Sequence, residues 1–210
     1  NIIIKKAFND GIEFLRGESL KETDLSKMIV SYSGDITVGY NNDYAPFDQL
    51  TKLTQNQGLH WVAHHLKDGY RNGDNYIPGF NMVVIDVDGE VSLSTAKLLL
   101  KDYKALYYTT KRHQVADGTN PPVDRFRIIL PTNFELKLDA KDYKEFMPNL
   151  YEWMPFKVDE ATGQVARKWL SHNGHCEYTD GQLLDVLPFI PKTSKNEDRK
   201  NQMNTLHSMD

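Results

Sequence analysis

Apolar residues run without a break from Met82 to Ile85, and polar ones then return at every second position as Asp86 and Asp88. A short apolar run closed by Gly89 predicts a buried strand over Asn81–Val87. The next segment predicts a helix, with Ser92 or Ser94 as N-cap and Ala96, Leu98, Leu99 and Leu100 inside. A second strand is expected at Ala105–Thr110, followed by a loop rich in Gly, Asn and Pro. "RFRIILP" (Arg125–Pro131) alternates basic and apolar residues and reads as a third strand. Asp139 should cap a helix through "AKDYKEFMPNLYEWM", which Pro148 is expected to kink or split. "ARKWLSH" (Ala166–His172) supplies a last strand. The order β-α-β-β-α-β is the split βαβ arrangement of an RNA-recognition-like (RRM-like) α+β fold: a mainly antiparallel sheet with helices on one face.

The flanks differ in character. Residues 1–79 read as an N-terminal α/β part packed on this core as a cover. "NIIIKKAF" and "KMIVSYS" are expected strands there. "FDQLTKLTQNQGLHWVAHHLKDGY" is expected to form one or two helices, with His64 and His65 on the polar side. Residues 80–191 hold the core, and residues 192–210 are polar enough for a linker or tail leading elsewhere.

Bulk properties narrow the class. With 210 residues and 40% hydrophobic content the chain can bury a real core. Its apolar runs are far too short to span a bilayer, and no signal-peptide pattern leads it, so a cytoplasmic protein is expected. It opens on Asn1 rather than Met, as an interior fragment would. Cys176 is the single cysteine, which rules out a disulfide framework and a four-cysteine zinc site. A net charge of −4 means that any contact with nucleic acid must come from a local basic patch.

Candidate chemistry gathers on the core. Asp86 and Asp88 share one strand face and repel each other unless something cationic lies between them. Arg125 and Arg127 also share a face, on a strand that the split arrangement makes a central neighbour of the first. His113 follows the second strand, Asp159 precedes the last, and Arg167 and Lys168 come shortly after. Three carboxylates with several cations on one sheet face make a metal-plus-phosphate site. Carboxylates take hard ions such as Mg²⁺ or Mn²⁺, while Arg and His hold phosphate oxygens.

"VVIDVDG", "YYTTKRH…DRFRIILP" and "VDEATGQVARKWL", in this order and spacing, resemble the three motifs of the archaeo-eukaryotic primase superfamily (AEP), above all the primase and primase-polymerase modules of phages and mobile elements. Asp86 and Asp88 match the acidic pair. Thr110 and His113 match the hydroxyl residue and histidine, with one residue more than the usual gap. Val158 and Asp159 match the third motif, and Arg167 an arginine that follows it. The resemblance covers about residues 80 to 175. It implies DNA-templated nucleotidyl transfer in phage or plasmid replication, with two Mg²⁺ or Mn²⁺ ions on Asp86, Asp88 and Asp159. It also implies that Thr110, His113, Arg125, Arg127, Arg167 and Lys168 bind the NTP or dNTP. The implied partners are a single-stranded DNA template and a replicative helicase domain or protein.

Other readings compete. "MVVIDVDGE" also resembles the first motif of haloacid dehalogenase-like phosphatases, which would make Asp86 a phosphorylated nucleophile with one Mg²⁺. Against it, Glu90 stands where that family has Thr, and no later acidic pair has the expected spacing. Arg125 and Arg127 could be a plain cross-strand charge ladder. His172, His175 and Cys176 in "HNGHC" invite a zinc reading, but no fourth ligand is evident. A non-enzymatic RNA-recognition-like module would not need three carboxylates on the face that meets phosphate.

Overall fold

The computed structural model describes residues 21–191, so the strand expected in Asn1–Phe8 and the tail from Lys192 lie outside the described residues. In chain order the elements are β1 (Lys21–Glu22), β2 (Met28–Ser33), β3 (Asn41–Ala45), α1 (Thr51–Thr54), β4 (His60–Val62), β5 (His65–Leu66) and β6 (Tyr76–Ile77). There follow β7 (Phe80–Asp88), α2 (Leu93–Leu99), β8 (Ala105–Thr109), β9 (Arg125–Leu136), α3 (Ala140–Trp153), β10 (Trp169–Leu170) and β11 (Cys176–Thr179).

β9 is the spine of the main sheet. It pairs antiparallel with β7 along one side, and with β8 and then β1 along the other. Two antiparallel steps make β7 and β8 parallel, with α2 crossing between them, so the split βαβ unit is present. β11 extends the sheet from the outer side of β8. A second sheet runs β10-β4-β2-β3, and β5 pairs with β6.

Strand alternation assigns the two faces of the main sheet. Val83, Ile85, Val87, Tyr107, Phe126 and Ile128 lie in one core cluster with the buried residues of α2 and α3. Met82, Val84, Leu106, Tyr108 and Ile129 lie in another, under Met28, Val30, Trp61 and Trp169 of the second sheet. The described core is therefore three layers: helices, main sheet, second sheet.

Several expectations need correction. Only Ala96 and Leu100 of the α2 region are buried, since they recur on one helix face, whereas Leu98 is 66% and Leu99 46% exposed. Pro148 neither splits nor ends α3. It sits on the exposed side of the helix, where the backbone carbonyl that it cannot serve can meet water. The stretch expected to be helical around His60 gives one turn, α1, and then the short strands β4 and β5, because Trp61 and Val62 are needed inside the second sheet. "ARKWLSH" supplies β10, which pairs with β4 rather than with the main sheet. That places Trp169 against Trp61, ring centroids 6.4 Å apart, in the layer between the sheets.

Asn81 stitches the layers together. A register shift between Phe80 and Met82 lets Phe80 and Val83 share the helix-side face. The displaced Asn81 accepts from the Ile29 amide at 3.0 Å and donates to the Lys27 carbonyl at 2.9 Å. Asn81→Ala is expected to cost about 2 kcal/mol by stranding these groups. Urea denaturation reads this directly, and a loss well under about half that would deny Asn81 the role.

His64 is not on a polar helix side. It is 2% exposed, with the rings of Tyr143, Tyr76 and Phe80 within 5.5 Å. Burial lowers its pKa to about 3, so the native imidazole stays neutral. The unfolded chain takes up that proton near pH 6.5 and the native state does not. This contribution to stability is therefore complete above about pH 6.5 and is lost as pH falls toward 3, by up to roughly 1.4 kcal/mol per pH unit. His64→Phe should flatten this acid limb in denaturation curves at pH 7 and 4.5. An equal drop in both proteins would contradict it.

Candidate functional site

The site is the end of β7 and the start of β9. Met82 and Val84 on the β7 face are covered by the second sheet, while Asp86 and Asp88, next on the same face, emerge toward its edge. β9 mirrors this, since Ile129 is covered and Arg127 and Arg125 come next toward its start. Antiparallel register sets Asp86 opposite Arg127 and Asp88 opposite Arg125. The distances are 3.2 Å from Arg127 Nε to Asp86 Oδ1 and 3.1 Å from Arg125 Nη1 to Asp88 Oδ1. The geometry is thus a cross-strand ladder of two ion pairs. Gly89, at φ 95°, turns the chain away after Asp88, against Val123.

The two arginines differ. Arg127 Nη1 donates to the Tyr108 hydroxyl at 3.1 Å and to the Leu170 carbonyl at 2.8 Å, and its guanidinium lies 5.0 Å from the Trp169 ring centroid. Burial works against its charge, but Tyr108 and Asp86 more than offset that and raise its pKa. Arg125 Nε, by contrast, is buried without a partner, while Nη1 is taken by the ion pair with Asp88. A donor left unspent in this way can serve an anion arriving in the cleft.

Asp159 comes to the same place from far along the chain. Its amide donates to the Asp86 carbonyl at 3.0 Å, on the side of β7 away from β9. Its own Oδ1 accepts from the Ala161 amide at 3.0 Å, capping a short 3-10 turn. Burial pushes the Asp86 carboxyl above its usual range; Arg127 opposes this, and the charges of Asp159 and Asp88 add to it. His113 reaches in from the β8–β9 loop, where its Nδ1 accepts from the Arg125 amide at 3.1 Å. That bond leaves the proton on Nε2, which makes Nε2–H the free donor of the neutral ring. The Thr110 amide bonds the Arg125 carbonyl, so the hydroxyl residue flanks β9 rather than the carboxylates.

Arg167 is exposed, 5.8 Å from the Trp169 ring centroid on its guanidinium carbon. Lys168 is half-buried; burial first, then Arg127, Arg71 and Arg167, hold its ammonium below the ordinary lysine range. Tyr108 and Trp169, which fix Arg127, were not singled out from sequence. The signal available for Tyr108 was its parity with Leu106 on β8.

The carboxylates have the hard oxygens that Mg²⁺ or Mn²⁺ takes. As arranged they do not make a binding set: each spends its Oδ1, on Arg127, Arg125 and the Ala161 amide respectively. Among the described residues no three His, Cys, Asp or Glu side chains stand together so as to hold a metal ion, and the same holds for His172, His175 and Cys176. Mn²⁺ titrated alone, without nucleotide, is therefore expected to bind no tighter than about millimolar. Arg125→Gln, which frees Asp88, should strengthen it. Tight binding to the unaltered protein by calorimetry would contradict the ladder geometry.

No family model matches the chain, and no curated protein does. Among solved structures it is similar to the AEP domain of the cyanophage S-2L primase-polymerase, at 10% identity and a TM-score of 0.39, over 80% of this chain and 91% of that one. A likeness at this distance leaves function to the site itself. No helix among the described residues is long and apolar enough to cross a membrane.

Proposed function

We propose that the chain is the catalytic domain of a DNA-templated nucleotidyltransferase, a primase or primase-polymerase that joins NTPs or dNTPs on single-stranded DNA. The observation that supports this best is the Asp159 amide bonded to the Asp86 carbonyl, which brings the backbone of the third motif beside the acidic pair, although the three carboxylates do not stand together as a metal-binding set. A charge ladder alone would have no use for that contact.

In this reading Arg125 and His113 Nε2–H hold the triphosphate of the incoming nucleotide. Arg127 fixes the orientation of Asp86, and the exposed Arg167 reaches phosphate from the other side. A 3′-hydroxyl attacks the α-phosphorus, and pyrophosphate leaves. The divalent ions, Mg²⁺ or Mn²⁺, enter this reading through the sequence resemblance alone. A replicative helicase as partner, the phage or plasmid origin and the host cytoplasm belong to the same proposal.

The phosphatase alternative finds less support. It needs Asp86 open to in-line attack on phosphorus, whereas that side chain is 17% exposed and bonded to Arg127. Incubation with single-stranded DNA, nucleotides and Mn²⁺ separates the two by the leaving group. Nucleotidyl transfer releases pyrophosphate in step with template. Template-independent orthophosphate would favour the phosphatase.

A further inference from the structure

The second sheet carries a cationic surface next to the acidic site. Leu170 of β10 lies opposite His60 of β4, and in antiparallel pairing this puts Lys168 and His60 on the same sheet face, opposite Trp169. Arg71 comes to this face from the N-terminal part. Its amide donates to the Thr37 carbonyl at 2.8 Å and its Nε to the Ile36 carbonyl at 3.0 Å, which knits Tyr70–Arg71 to the loop of residues 34–39. Ser33 of β2 lies opposite His60 and shares its face. Its hydroxyl accepts from the Asp35 amide at 2.9 Å and donates to the Val38 carbonyl at 2.6 Å, which sets the loop held by Arg71 beside His60. Asp35 is an acidic group of that loop, and its Oδ1 is taken by the Thr37 and Val38 amides.

Around these cations, apolar side chains stand in solvent: Ile36 is 49%, Val38 50% and Tyr70 45% exposed. Cations interleaved with exposed flat or branched apolar groups suit unpaired bases on a phosphate backbone, because every base has a stacking face and a duplex hides it. The edge strand β10 ties this face to the acidic site: the mostly buried Arg127 bonds both Asp86 and the Leu170 carbonyl.

We propose that Arg71 and Lys168, with Tyr70 and the loop of residues 34–39, form a binding surface for single-stranded nucleic acid that leads to Asp86. The cations take successive phosphates, and Tyr70 offers a stacking face to a base. This gives the N-terminal part a role beyond covering the core. It rests on the proposed function only for what the strand is delivered to.

Fluorescence anisotropy with a labelled oligo-dT in EDTA, without nucleotide, tests binding apart from catalysis. Arg71→Glu and Lys168→Glu should each weaken binding at least tenfold, and the slope of log affinity against log salt should fall by about 0.7 per lost phosphate contact. Tyr70→Ala should weaken binding about tenfold without changing the slope. Arg71→Gln, read together with its melting temperature, separates lost charge from lost folding and should show a smaller loss of the same kind. Lys141→Glu, on α3 behind the main sheet, should change nothing. Equal affinity in both charge-reversed proteins, an equal loss in Lys141→Glu, or a preference for duplex would overturn the inference. Intact binding through Arg71 in a protein that transfers no nucleotide would instead count against the proposed function alone.

Discussion

Asp86→Asn and Asp88→Asn are each expected to lower nucleotide transfer by about a thousandfold or more while leaving the fold standing. Removing one preorganised charged group from a site that handles phosphoryl charge commonly costs that much. The fold should survive because neither carboxylate is a net support for it. Asp86 is raised in pKa first by burial, with Asp159 and Asp88 adding to the effect, so its ionised form is disfavoured in the native state. An Asn at the same place still offers its oxygen to Arg127 Nε. Asp88 is 45% exposed, and its pair with Arg125 is partly screened by solvent. Melting temperatures within a few degrees of the unaltered protein are expected for both. A large fall in both would make the pair structural and remove the basis for the site.

The two arginines should fail in different ways, although the sequence offers them as equivalents. Arg127→Ala removes the partner of a mostly buried carboxylate and leaves the Tyr108 hydroxyl and the Leu170 carbonyl without their donor. Breaking such a buried pair costs about 3 kcal/mol, so this variant should lose stability first and activity with it. Arg125→Ala gives up one ion pair to a carboxylate that is 45% exposed and a buried Nε that no acceptor uses, so stability should fall less than in Arg127→Ala while the nucleotide KM rises and kcat/KM falls. Steady-state kinetics beside thermal melts read both. If Arg125→Ala leaves KM unchanged, Arg125 is only the second rung of a ladder. If Arg127→Ala keeps full stability, its contacts with Tyr108 and Trp169 carry no weight.

The contrast between those arginines shows where the sequence stops being informative. Alternation along β7 and β9 placed Asp86, Asp88, Arg125 and Arg127 on one face, and the split βαβ order made those strands neighbours. Both follow from local periodicity and short connections, which leave a signal in the chain. What surrounds Arg127 does not. Tyr108 and Trp169 reach it from β8 and from a second sheet whose short strands, β4 and β10, carry too little alternation to be read. The same shortness made the segment around Trp61 look helical. The shift at Asn81 was hidden as well, since a single displaced residue inside an apolar run changes parity without changing composition. Asp159 was legible as a motif residue, but its amide contact with Asp86 depends on a turn that only the folded chain defines.

Template-directed incorporation is the most direct measure of the central claim. The chain is incubated with labelled nucleotides and Mn²⁺ on an oligo-dT template, and the products are sized on a denaturing gel. The account predicts a ladder of products with adenine nucleotides alone, none with guanine nucleotides, and none from Asp86→Asn or Asp159→Asn. Products of the same length from every nucleotide, or a ladder that survives in both variants, would contradict it.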